Sequence, residues 1–151
     1  MIRDSIKAAQ IEAMKAGDKP RLNAVRLIMA AVKNRDIEAR TSQAPGDDDV
    51  LVTEVLQKMV KQRRESIDMY CAGGRDELAE IEAGEVAVIE GFLPAQMSDA
   101  EAAAAIDAIV AETGASSLKD MGRVMALVKE RHAGATDMGR ASGMVKAKLS
   151  A

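Results

Sequence analysis

The sequence has one cysteine, one histidine, one tyrosine, one phenylalanine and no tryptophan among its 151 residues. Each shortage excludes a class of chemistry. A lone Cys71 forms neither an intramolecular disulfide nor a cysteine-rich zinc centre. A lone His132 excludes any site that needs two histidine ligands. With only Tyr70 and Phe92, the chain lacks the aromatic platform on which single-stranded nucleic acids stack their bases. Long apolar runs are missing too. The longest charge-free stretch is the eight residues Gly91 to Ser98, which include Pro94; a membrane span needs roughly 20 apolar residues. The opening Met1-Ile2-Arg3-Asp4-Ser5 meets charge before any signal-peptide core. The lone thiol and the missing export signal together give the expectation of a cytoplasmic protein with no membrane partner.

What is present is ordinary for a globular domain: 48% hydrophobic and 30% charged residues, with a net charge of −3. That total conceals a layout. Residues 1–64 carry 13 basic and 9 acidic side chains, and residues 65–112 carry 1 and 12. Residues 113–151 carry 7 basic and 3 acidic. An acidic middle between basic ends fits either a solvated helix surface or a chain that offers its ends to an anionic partner.

The pattern predicts an all-α fold. Alanine occurs 28 times and methionine 10 times, and no clean period-2 alternation occurs. Four helices are expected in residues 1–93, over about 2–16, 20–40, 49–72 and 75–92, arranged as helical hairpins. Three short helices are expected in residues 94–151, over about 99–113, 117–133 and 138–149, as a small C-terminal domain. Gly17, Pro20, Pro45-Gly46, Gly73-Gly74, Pro94, Gly114 and Gly134 punctuate them. Ser98 with Glu101 reads as a capping box, and Ser117 with Asp120 as a similar start. Counting outward from Gly73-Gly74, an antiparallel register sets Tyr70 against Leu78, Ile67 against Ile81, Val60 against Val88 and Leu56 against Phe92. The same rule pairs Arg63 with Glu85, the only charges on that seam, and so predicts an interhelical ion pair.

No residue set announces catalysis, a cofactor or a metal. His132 falls near a helix C-terminus, where a cation is favoured for electrostatic reasons alone. Cys71 also lies near a helix C-terminus, which discourages the thiolate a nucleophile needs. Ser116, Ser117 and Lys119 superficially suggest an amidase nucleophile set, but without a glycine-rich oxyanion setting capping explains the serines better. The cluster Lys58, Lys61, Arg63, Arg64 can be neutralised along its own helix by Glu65 and Asp68 at i,i+4. The tail cations Lys119, Arg123, Lys129, Arg131, Arg140, Lys146 and Lys148 have few acids near them in sequence. They are the better candidates for phosphate contacts.

A series of short motifs then runs in order along the chain. These are Met14-Lys15 with Asp18-Lys19, Arg26-Leu27-Ile28 with Ala30-Ala31-Val32-Lys33, and Ile37-Glu38-Ala39-Arg40. Lys61-Gln62-Arg63-Arg64-Glu65-Ser66 and Phe92-Leu93-Pro94 with Gln96-Met97 follow. Asp120-Met121-Gly122-Arg123-Val124-Met125, then Gly134 and Asp137, complete the series. In this order the chain resembles the YqeY-like proteins of the GatB/YqeY family over nearly its whole length. It departs at Asp137-Met138-Gly139, where the family usually sets glycine directly after the aspartate.

The resemblance implies a C-terminal domain like the tail of the B subunit of glutamine-dependent aspartyl/glutamyl-tRNA amidotransferase, a tail that helps hold tRNA. It also implies an association with carbon–nitrogen ligase activity using glutamine as amide donor, although the catalytic portions of that enzyme have no counterpart here. The resulting expectation is a non-catalytic tRNA-binding or tRNA-metabolism accessory protein. Its RNA contacts would come from Lys119, Gly122, Arg123, Lys129, Arg140 and Lys146. Two alternatives stand beside it. One is a protein–protein adaptor whose acidic helical hairpin recognises a basic partner. The other is an amidotransferase component active only within a complex.

Overall fold

Local chemistry sets the helix boundaries. The structure, a computed structural model, describes every residue except Pro45, Ala133 and Ala151. The expected turn residue Pro45 and the expected helix end at Ala133 therefore lie outside the described residues, as does the last residue of the expected C-terminal domain. The described residues form seven α-helices and one 3-10 turn. α1 spans Ile2–Ala16 and closes on Gly17, whose φ of 67° is left-handed and costs glycine nothing. α2 spans Lys19–Ala39; the Asp18 carboxylate accepts from the Arg21 amide at 3.2 Å, and proline occupies the first turn. α3 spans Asp48–Ala72 behind a capping Asp47, with Asp48 and Asp49 favouring its positive end. α4 spans Asp76–Glu90. α5 spans Asp99–Thr113 and opens on a capping box in which Ser98 and Glu101 satisfy each other's amides. The 3-10 turn Leu118–Asp120 leads into α6, Met121–His132, and α7 spans Met138–Ser150.

The chain divides into two compact units, Met1–Leu93 and Pro94–Ala151. In the first, α3 packs along α4, and α2 contacts α1, α3 and α4. Ile6, Val25, Ile28, Val52, Leu56 and Ile89 lie at the centre of its buried core. Burial of such aliphatic side chains, at about 1.5–3 kcal/mol each, is the main force holding these helices together. Arg3 ties the helix ends: its guanidinium donates to Asp36 of α2 at 2.9 Å and to Asp48 of α3 at 2.7 Å. The hydrogen bond from Arg3 holds the Asp48 carboxyl below the usual carboxylate range.

Arg63 and Glu85 meet at 2.9 Å on the seam between α3 and α4, as the register rule requires, and Glu82 stands 3.9 Å away. Away from the turn the apolar seam follows the expectation, with Val60, Val88, Leu56 and Phe92 in one core, whereas near the turn it differs. Ile81 is 62% exposed and Leu78 also faces outward, while Ala79, Val86 and Ile89 are buried. The reason is that α2 also packs against α4. α4 turns its small and β-branched side chains between two neighbours instead of squarely at α3.

In the second unit, Ile106, Ile109, Val124, Val128, Ala141, Val145 and Leu149 form one core. Two ion pairs, Arg140 with Asp99 and Lys148 with Asp107 (3.0 Å), join α7 to α5. The pairs share one sequence offset, so the two helices run in the same direction.

Candidate functional site

The six residues singled out from the sequence all belong to the second unit, and the structure treats them differently. Lys119 is exposed in the 3-10 turn, and Gly122 is exposed in the first turn of α6. A Cβ built on Gly122 would meet nothing, so this stretch of backbone is open to close approach. Arg123 is exposed, yet its guanidinium donates to Asp120 at 3.1 Å. Asp120 also accepts from the Ser116 amide at 3.0 Å and the Ser117 amide at 3.3 Å. The Ser116 amide is the chief cause that lowers the pKa of this carboxyl. The serines therefore serve the turn, and Ser117 completes the expected capping box.

Arg140 is held by Asp99. Lys129 on α6 and Lys146 on α7 are exposed. Neither they nor Lys119 has a carboxylate partner among the described residues. Arg140 and Lys146 are six residues apart on one helix, about 120° around its axis at 3.6 residues per turn. They present to different directions.

The expectation that the tail cations lack neutralising acids is corrected. Arg123, Arg131, Arg140 and Lys148 are each paired, with Asp120, Glu112, Asp99 and Asp107. Three of those acids lie on α5, in the stretch that sequence counting assigned to the acidic middle. Over residues 94–151 the formal charges balance, seven basic against seven acidic. A contact surface for an anion in this unit is therefore a matter of which cations are left free, namely Lys119, Lys129 and Lys146.

The remaining candidates resolve locally. His132 ends α6 and lines, with Thr136 and Ala141, a void of about 10 Å³, too small for a substrate. Cys71 is exposed. Arg64 reaches Glu90 on α4, not Asp68 on its own helix. Around Ile81, an open groove of about 590 Å³ is lined by Glu80 and Gly84 of α4 and by Lys19 and Arg21 of α2. Among the described residues no three metal-binding side chains converge, and no helix is long and apolar enough to cross a membrane. One feature escaped the sequence reading: α2 and its C-cap carry Lys19, Arg26, Lys33 and Arg40, all exposed and each seven residues from the next. Their spacing was the available signal, hidden because no two of them are neighbours in sequence.

A family model described as Yqey-like protein matches residues 3–149. A protein of Eremothecium gossypii named "Altered inheritance of mitochondria protein 41, mitochondrial" is 34% identical over 103 residues, covering 67% of this chain and 55% of its own length. Proteins of the same name from Candida glabrata and Saccharomyces cerevisiae are 34% and 30% identical over 82 residues. Each of those matches covers 54% of this chain, with 44% and 43% of the relatives' own lengths. The chain thus spans about half the length of these curated relatives. Their names overturn the cytoplasmic expectation. That expectation rested on a free thiol and an absent export signal, which bear on the secretory route and do not separate one reducing compartment from another.

Proposed function

Because the chain belongs to the YqeY-like protein family, we propose that it is a non-catalytic accessory protein that binds tRNA through its C-terminal unit. The observation that carries this reading is the selective pairing of charge there. Four of the unit's cations are neutralised by its own carboxylates, whereas Lys119, Lys129 and Lys146 stand free. Gly122 adds an open stretch of backbone at the positive end of α6, where amides favour an anion. In this reading the three lysines and the Gly122 backbone contact phosphates. Arg123 and Arg140 hold the architecture through Asp120 and Asp99 and reach RNA only by exchanging those partners. Contacts of this kind position an RNA and do not read its sequence.

The test is binding of total tRNA to the purified full chain across a salt series. Micromolar or tighter affinity at low salt is expected, falling linearly in logarithmic coordinates as counterions are released. The triple substitution Lys119→Gln, Lys129→Gln, Lys146→Gln should weaken binding and flatten that slope, with helical content unchanged. Absence of binding at low salt refutes the reading.

A second reading, a protein adaptor, draws on exposed Ile81 in the groove beside Glu80. It predicts a basic protein partner whose capture Ile81→Asp abolishes, with indifference to tRNA.

A further inference from the structure

α2 buries one side and leaves the other to solvent. Ala24, Val25, Ile28 and Val32 face the core. On the opposite side lie Lys19, Asn23, Arg26, Ala30, Lys33, Ile37 and Arg40, all exposed. A seven-residue step drifts only about 20° around a straight helix, so the four cations form one ridge. At 1.5 Å rise per residue they follow each other at about 10 Å, over about 31 Å in all.

The carboxylates of α2 itself are occupied elsewhere, while Glu80 of α4 shares only the groove at the Lys19 end of the ridge. Asp18 caps the helix, Asp36 is held by Arg3, and Glu38 lies 3.8 Å from Arg35. None of the four ridge cations has a carboxylate partner among the described residues. Lys33 also borders a groove of about 290 Å³ with Lys7 of α1, which extends the positive surface sideways. This accumulation arises on a unit whose sequence contains more acids than bases, 17 against 14 over residues 1–93.

We infer that the exposed ridge of α2 is a second contact surface, and that it fits the sugar–phosphate backbone of double-stranded RNA. The inference rests on the reading of RNA as the ligand and places a contact in the other unit. A straight row of cations at regular spacing suits a regular helical polyanion, and the flanking amides Asn23 and Asn34 can donate to phosphate or 2′-hydroxyl oxygens. Single-stranded RNA fits less well: such sites add stacking aromatics, and the ridge has none. A membrane surface fits poorly because the apolar side of α2 is already in the core and has nothing to insert. A protein partner fits poorly as well. Interface centres are depleted in lysine and rich in aromatics, whereas here Leu27 and Ile37 stand about 15 Å apart along the helix between cations.

The experiment uses the full chain and a plain RNA duplex of about 20 base pairs without loops, alongside tRNA. Arg26→Gln, Lys33→Gln, Arg40→Gln should bind the duplex at least tenfold more weakly at moderate salt. The logarithmic salt slope should shrink by about 2 to 3, near 0.9 per lost phosphate contact. The charge-conserving Arg26→Lys, Lys33→Arg, Arg40→Lys should bind as the parent does, and circular dichroism should show all three chains equally helical. Unchanged duplex affinity and slope in the glutamine variant overturn the ridge. So does a parent chain that binds anionic vesicles or single-stranded RNA but no duplex. If the ridge variant loses binding while the Lys119, Lys129, Lys146 variant does not, the ridge stands and the C-terminal site falls. The reverse result removes the ridge alone.

Discussion

Removing Arg63 tests the packing logic of the first unit. Its side chain is 15% exposed, and those of Glu85 and Glu82 are 22% and 25% exposed. Exposed ion pairs contribute about 0.2–1 kcal/mol, whereas breaking a buried pair by deleting one partner costs about 3–5 kcal/mol. The partial burial here lies between, so Arg63→Met should cost about 2 kcal/mol. Methionine replaces the apolar stem and leaves two carboxylates facing one another without their cation. For a unit of this size that corresponds to a fall in Tm of about 8–16 °C. The signature is a sign as well as a size: Arg63→Met with Glu85→Met should be more stable than Arg63→Met alone, because the second change removes a stranded charge. Tyr70, the chain's only tyrosine, lies on α3 and reports unfolding of this unit by fluorescence in a urea titration. Single-variant losses below about 0.5 kcal/mol with no coupling in the double-mutant cycle would refute the reasoning.

Ile28 is fully buried, so Ile28→Ala should cost about 2–5 kcal/mol through lost transfer energy and the cavity left behind; urea unfolding measures it. Asp48 has its pKa lowered on folding, so its contribution is present above the unfolded value near 3.9 and is lost as pH falls through the folded one. Asp48→Asn should therefore lower Tm near neutrality and flatten its decline below about pH 4. With 37% of the side chain exposed, the effect is a fraction of a kcal/mol. Gly122→Ala meets no atom and lies in a helix, so it should raise stability by about 0.5–1 kcal/mol. Under the tRNA reading it should at the same time weaken tRNA binding; equal or tighter binding would count against close approach at that backbone.

Helix ends were legible in the sequence because caps are local. Gly17, Asp18 with Pro20, Asp47 and the Ser98 box each satisfy backbone groups within a few residues, and no distant contact is needed to read them. The Arg63–Glu85 pair was legible for a related reason: counting from a tight turn fixes how far along two antiparallel helices each residue lies. The same count says nothing about rotation around the axis. Val86 and Ile89 point inward and Ile81 outward because a third helix, α2, shares α4 with α3. A two-helix argument cannot supply that angle.

Charge counted along the sequence misleads at a comparable point. Cutting the sequence after residue 112 separated α5 from the helices it neutralises and made the tail look basic. The folded unit is balanced, because Asp99 and Asp107 serve α7 and Glu112 serves Arg131. Net charge over a window is thus the wrong quantity for locating an anion site; the cations left over after folding are the right one. By that criterion three of the six sequence candidates in the C-terminal unit retain a free cation, Lys119, Lys129 and Lys146. The ridge of α2, in a unit with more acids than bases, emerges as a comparable surface. An acidic total does not forbid a polyanion partner, since a phosphate a few ångströms from an unpaired lysine is screened from charges more than about 10 Å away. Binding should therefore follow the free cations and not the isoelectric point; either triple variant, set against one that removes the paired Arg64, Arg131 and Lys148, separates those quantities, because each changes the formal charge by the same three units.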